Sequence, residues 1–343
     1  MTLSPTDGGK NRMMLPEGRS YELSMELIQG AIDIHVHATP HLPSSPRRLD
    51  PIEAAIQARD AGMQAIVLMD VFQMSNGVAW IVNRAVPDFK VYGGLILNTA
   101  YGGLNPRAVK TAIGYGDGAK FVSFGAHSTH YQASTEGRIV DGRFTPLKDL
   151  YPKFRQEEVE RAIRIPVEGP VGSDLEEILE LISHNPHIFL NTGHVSPDEA
   201  VRLVDLACDY GIGNVLVATA VTSIASTDQL RYMAGKGAFI EYTLGAYTHT
   251  TSIPKTHYYV ELEYAADEDM AGGAKGSVRG AAEQIREIGS DHCILATDFG
   301  GYTLPDPVEG MRGFIASLLD LGIAPECVRK LVKTNPEKLL GLG

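Results

Sequence analysis

The chain has 343 residues, 44% of them hydrophobic and 21% charged, and a formal net charge of −12. That is the balance of a globular protein with a full-sized core, and the length suits one α/β barrel of about 250 residues plus insertions. An acidic balance without a long Lys/Arg run argues against a nucleic-acid backbone as partner, and no stretch of about 18 apolar residues is present to span a membrane.

Residues 1–28 begin polar and rich in Gly and Pro, and are expected to form a flexible arm ahead of a single domain over 29–343. Eight apolar runs of β type then follow in order, over 31–37, 64–70, 90–98, 119–124, 187–195, 213–221, 237–244 and 292–300. Several are almost continuously apolar, as parallel strands buried on both faces require. Amphipathic stretches such as DPIEAAIQARDAGM and SDLEEILELISHN separate them, with Asp50 and Ser173 where helix N-caps belong. The alternation predicts a (β/α)8 TIM barrel with long loops after strands four and seven, over 125–172 and 245–280. No GxGxxG follows an early strand, which weighs against an open doubly wound sheet. The cysteines, Cys208, Cys293 and Cys327, are scattered without CxxC spacing and suggest neither a disulfide framework nor a thiolate metal cage. With no apolar signal segment at the N-terminus, a reducing cytoplasm is the expected compartment.

Three strand ends carry chemistry. In Asp33-Ile34-His35-Val36-His37 the two histidines are two residues apart, so a strand aims both to one side. Two imidazoles on one face suit a borderline divalent metal such as zinc; packed histidines are the plainer alternative. His194, in NTGHVS, ends the fifth run, and the following Glu199 reads more simply as a solvated first-turn acid than as a ligand. Asp298, in ATDFG, ends the eighth; a carboxylate after so apolar a run is expensive to bury unless a cation is near.

DIHVH, GHVS, ATDFG and the closing NPEKLLGL together resemble the amidohydrolase superfamily, and more closely an uncharacterised amidohydrolase-like family with a GAIDIHVH start, a GGLILN third strand and a GGLNP loop. The resemblance runs from about Gly30 to Leu342. It implies one or two divalent ions, zinc first with iron or manganese as alternatives, held by His35, His37, His194 and Asp298, with Asp298 also the catalytic base. The sequence departs from the superfamily pattern where a bridging Lys or Glu is common on strand four, since Lys120 stands at that strand's beginning. It departs again where a strand-six His is common, since Thr219 stands there. His127, His130, Glu241, Tyr242, Thr219 and Asp70 are therefore further candidates for ligation or substrate binding, with His249 and His257 weaker ones.

The leading expectation is hydrolysis of an amide, lactone or ester of a small organic molecule by metal-activated water, with Tyr242 or a histidine facing the oxyanion. Phe72, Met74, Tyr101 and Tyr247 near the same rim suggest a partly apolar substrate. The departures keep two alternatives open: a non-hydrolytic metalloenzyme (decarboxylase, lyase or iron-dependent oxygenase), and an inactive ligand-binding barrel. A homo-oligomer is compatible with the sequence, though no seam is visible in it.

Overall fold

A computed structural model describes residues 18–42, 46–248, 270–271 and 276–342. The apolar runs become parallel strands: β1 Ile32–Val36, β2 Ala65–Leu68, β3 Lys90–Gly93 with a continuation at Leu95–Ile96, β4 Phe121–Ser123, β5 Phe189–Asn191, β6 Val215–Val217, β7 Phe239–Thr243 and β8 Cys293–Ala296. β1, β2 and β3 pair in that order, and the Leu95–Ile96 continuation pairs onward through β4, β5, β6 and β7 to β8. The third strand breaks at Gly94 because its N–H turns aside to the Ser75 hydroxyl, 2.9 Å away. The last strand returns to the first: Asp298 N donates to His35 O at 2.9 Å, His37 N donates to Phe299 O at 2.8 Å, and Val36 bridges Phe299 in parallel.

Most of these strands bury both faces, which explains the nearly unbroken apolar runs; β3 is an exception, with Lys90 exposed and Tyr92 half-buried. Ile32, Ile34, Val67, Phe121, Phe189, Leu216, Phe239 and Ile294 form one core made almost wholly from strands. Alternate residues of the same strands, including Ile66, Val122, Leu190, Val217, Ile240 and Leu295, pack with helix residues in a second core. On β7 this alternation leaves Glu241 and Thr243 on the side of Phe239, and Ile240 and Tyr242 on the helix side.

Local chemistry sets the helix ends. Residues 19–28, expected as part of the arm, instead contain α1 (Arg19–Leu27), which packs on a late helix. Ser20, Ser24 and Leu27, at helical spacing, are its buried residues. α2 (Pro51–Asp60) starts at Asp50 in a reciprocal cap: the Asp50 side chain accepts from Glu53 N at 2.8 Å, and the Glu53 carboxylate accepts from Asp50 N at 3.0 Å. Ser173 is not a cap; it is the first residue of a helix whose N-cap is Gly172.

The segment after β4 is folded over the strand ends. It holds α3 (His130–Thr135) and an antiparallel hairpin, Gly137–Val140 with Arg143–Pro146. After it come α4 (Ser173–Ser183) and α5 (Pro197–Asp209). Glu199, expected as a solvated acid, is buried instead: it caps α5 through Ser196 N and also accepts from Ile165 N at 2.9 Å, which ties the inserted segment down. The late helix under α1 is α6 (Pro307–Asp320). Of the segment after β7, residues 249–269 and 272–275, with His249 and His257, lie outside the described residues. Among the described residues no helix is long and apolar enough to cross a membrane, and all three cysteines are free.

Candidate metal centre

β1 and β2 are out of step by one residue: Asp33 faces Ile66 and Val36 faces Leu68, three residues advancing against two. Such a bulge re-aims side chains. Ile34 stays in the strand-built core while His35 and His37 both reach toward Asp298. His37 Nε2 lies 2.8 Å and His35 Nε2 lies 3.4 Å from the same oxygen, Asp298 Oδ1. The two imidazoles meet edge to face with centroids 5.1 Å apart. One ligand atom from each of His35, His37 and Asp298 falls within 4.8 Å of the others.

Both outer nitrogens are committed, which fixes how each ring presents its Nε2. His37 Nδ1 is 2.7 Å from Met69 O, and His35 Nδ1 is 3.0 Å from Glu241 Oε1. The other Glu241 oxygen accepts from Thr219 N at 2.8 Å. A fully buried carboxylate is thereby held by one imidazole and one backbone amide. Asp298 sits at φ 56°, a left-handed conformation uncommon for a residue with a side chain. The hydrogen bonds to β1 on either side of it hold it there. Gly300 follows at φ 145°, where a Cβ would come within 2.0 Å of His37 O, so only glycine lets the chain pass so close.

The charges follow the geometry. Burial alone would push the His35 pKa down, but the Asp298 and Glu241 carboxylates override it and hold the imidazole at about 9. His37 goes the other way: burial and the Arg47 guanidinium lower it, against the pull of Asp298. Asp33 is fully buried, and burial raises its carboxyl to about 6 despite hydrogen bonds from the Thr297 hydroxyl, Thr297 N and His35 N. Asp33 therefore clamps β1 to β8 next to both ligand positions.

The other expected site residues are not part of this group of three. His194 is not in the three-residue group; its ring is tilted at 58° to that of His127, with centroids 5.7 Å apart. His127 Nδ1 is 2.6 Å from Glu136 Oε1, a contact between two elements of the inserted segment. His130 contacts the Ser134 hydroxyl at 3.2 Å and lines a cavity of about 460 Å³ with Lys148, Arg155 and Arg164. Glu241 supports His35 and does not join the cluster. Thr219 donates its amide to Glu241, and its hydroxyl accepts from Thr243 Oγ1 at 3.2 Å. Tyr242 cannot face an oxyanion in this site: it is fully buried in the helix-side core, where desolvation raises its hydroxyl pKa, because strand alternation points it opposite to Glu241. Asp70 stays at the rim, with one oxygen on Phe72 N at 2.8 Å and the other on Gln73 Nε2 at 2.6 Å.

Sequence reasoning passed over Asp33, Glu136 and Arg47. Asp33 had a legible signal, an acid inside an apolar strand two residues before a histidine; Glu136 and Arg47 had none, since their neighbours are distant in sequence.

The donor set fits a divalent cation of the zinc, iron or manganese kind: two imidazoles and a carboxylate, with outer nitrogens anchored as metal-binding histidines usually are. The Glu241 support has a measurable consequence. Glu241→Gln can keep an oxygen on Thr219 N–H only by turning its NH2 to His35 Nδ1, which removes the charge behind that ring and disfavours the tautomer that leaves Nε2 free, and it is expected to weaken metal binding by about 10–100-fold in chelator competition.

The fold is that of the amidohydrolases. It matches an amidohydrolase from Pseudomonas aeruginosa over 94% of this chain and 98% of that one, at a TM-score of 0.51 and 13% identity. It matches a lactonase from Listeria monocytogenes over 91% of this chain and 94% of that one, at a TM-score of 0.53 and 13% identity. Residues 30–241 match the model of a family of unknown function, DUF6282, and the chain belongs to that family. No curated protein matches it.

Proposed function

We propose that this protein is a metal-dependent hydrolase built on a closed (β/α)8 barrel, acting on an amide, lactone or ester bond of a small molecule. The observation that carries the reading is the convergence of His35 Nε2 and His37 Nε2 on one Asp298 oxygen, with each Nδ1 fixed from behind. The hydrogen bonds from the Asp298 segment back to β1 support ring closure. His37 and Asp298 follow β1 and β8 directly, and in a closed barrel the C-terminal strand ends are where enzymes keep their chemistry. The bond class is carried over from the two fold relatives, one named an amidohydrolase and one a lactonase.

His35, His37 and Asp298 would hold the ion, zinc in the first instance. A bound divalent cation supplies Lewis acidity, polarising a carbonyl and bringing the pKa of water toward neutrality. Asp298 is the one member of the cluster whose carboxylate can also accept a proton from the attacking water and return it to the leaving group. Its Oδ1 lies 2.8 Å from His37 Nε2 and 3.4 Å from His35 Nε2, so it would stand beside a water held on the ion. Glu241 and Met69 O keep the rings from turning away.

The test uses protein purified aerobically, its metal identified by elemental analysis, and assayed against a panel of lactones, aryl esters and anilides. Hydrolysis is expected with at least one bond class, and Asp298→Asn is expected to lower kcat/KM by about 10²–10⁴-fold. An unchanged rate in Asp298→Asn, or wild-type protein that takes up no metal, would remove the reading. Stoichiometric iron with no hydrolysis would favour oxygenase or lyase chemistry on the same ligands.

A further inference from the structure

Beside the cluster stands Arg47, a cation that makes no ion pair among the described residues. Residues 46–48 run antiparallel to residues 300–302: Tyr302 N donates to Pro46 O at 3.1 Å, Arg47 bridges Gly301, and Arg48 N donates to Gly300 O at 2.9 Å. This short ladder begins two residues beyond Asp298, so it fixes the Arg47 backbone against the metal-binding strand end. The Arg47 side chain is partly buried. Its single side-chain contact among the described residues is Nη2 to His41 Nε2, at 3.2 Å, and its Nε is buried with no hydrogen-bond partner there.

A guanidinium taken out of water is normally met by a carboxylate or phosphate, often through two parallel hydrogen bonds. Arg48, one residue on, shows the usual arrangement, with Nε 2.7 Å from Asp306 Oδ1. Arg47 has no ion pair among the described residues. The carboxylates whose charge it feels are Asp298 and Asp70. Asp298 is turned to His35 and His37, and both Asp70 oxygens already accept from Phe72 N and Gln73. The charge therefore faces the mouth of the site with donors to spare. His41, its hydrogen-bond partner among the described residues, packs on Phe72 with ring centroids 5.2 Å apart, so an aromatic ring lies alongside.

We propose that Arg47 binds a carboxylate group of the substrate, so that the molecule hydrolysed at the cluster carries a negative charge next to the bond that breaks. This rests on the metal-hydrolase reading above and narrows it from small organic molecules to acids. Neutral lactones and esters would lose the pairing that a free carboxylate makes with Arg47.

The test compares wild type, Arg47→Gln, Arg47→Lys and the control Arg48→Gln, each loaded with zinc and its metal content measured. Calorimetric titration uses the dicarboxylates from malonate to adipate, together with their half-amides, in which one carboxylate is kept and the other neutralised. In wild type the best diacid is expected to bind at least tenfold more tightly than its half-amide. Arg47→Gln is expected to erase that preference while retaining zinc, Arg47→Lys to keep part of it, and Arg48→Gln to leave it unchanged. Equal binding of diacid and half-amide by wild type, no binding of any diacid, or a preference that survives in Arg47→Gln would each overturn the proposal. The wild-type comparison stands even if a variant fails to fold. Failure of the metal reading is seen separately, as absence of zinc in wild type; a diacid preference lost in Arg47→Gln would then still identify the anion site.

Discussion

Replacing either His35 or His37 with Ala is expected to reduce bound divalent metal from about one equivalent to background, the largest single-residue effect at this site. Each imidazole supplies one of the three donors that fall within 4.8 Å of one another, and two remaining donors rarely hold a borderline cation against water. The two variants differ in what they leave behind. His35→Ala strips Glu241 of one of its two partners and leaves a fully buried carboxylate resting on Thr219 N alone. A buried charge that loses its partner costs about 3–5 kcal/mol, so this variant is expected to melt earlier as well. His37→Ala frees only the Met69 carbonyl, and its stability loss is expected to be smaller. His194→Ala is expected to retain the metal, because that ring lies against His127 and is not in the three-residue group. Elemental analysis of the three variants with melting curves checks all of this. Full metal in His35→Ala and His37→Ala would dismantle the ligand assignment, and loss of metal in His194→Ala would add a fourth ligand.

Metal affinity is expected to climb steeply with pH, close to tenfold per unit between about 7 and 9, and then to level off. The imidazole of His35 holds a proton up to about 9, and a cation must displace that proton to use Nε2. His37 has its pKa lowered, by burial first and Arg47 second, so it is already neutral and gives up no proton. One proton, not two, is released, which sets the slope. The same shift has an opposite consequence for the metal-free protein. A histidine whose folded pKa exceeds its unfolded value near 6.5 stabilises the fold fully below that value. That contribution declines as pH rises and is gone above about 9. The metal-free protein should therefore lose stability from pH 6.5 to 9 while the metal-loaded protein does not. Chelator competition and denaturant melts at pH 6.5, 7.5, 8.5 and 9.5 check both halves. A flat affinity profile would mean that His35 is not a ligand, or that Glu241 does not hold its proton.

Much of the architecture was legible before any coordinates. The eight apolar runs coincide with the eight parallel strands, because strands buried on both faces must be apolar at nearly every position. Asp50 was readable as a cap, since a cap depends on residues three apart. Ser173 and Glu199 were misjudged for a related reason: a one-residue shift in the helix start, or a distant amide such as Ile165 N, changes what a polar side chain meets.

At the site, residue types and strand ends determined the main pair and the acid. His35 and His37 lie two apart on one strand, and Asp298 follows an apolar run that could not bury it unpaired. What the chain could not announce is which groups stand behind them. Glu241 reaches His35 across 206 positions and Asp33 reaches Thr297 across 264, separations set by how the strands are ordered in space and not by any local rule. The bulge in β1 turned both histidines toward Asp298, and strict alternation on β7 turned Tyr242 away from the same place. Periodicity therefore fixed the strands and the short-range pair. The partners that orient the rings and the place of Arg47 beside them were decided only when distant segments packed, because hydrogen bonds and charge interactions depend on separation in space whatever the distance along the chain.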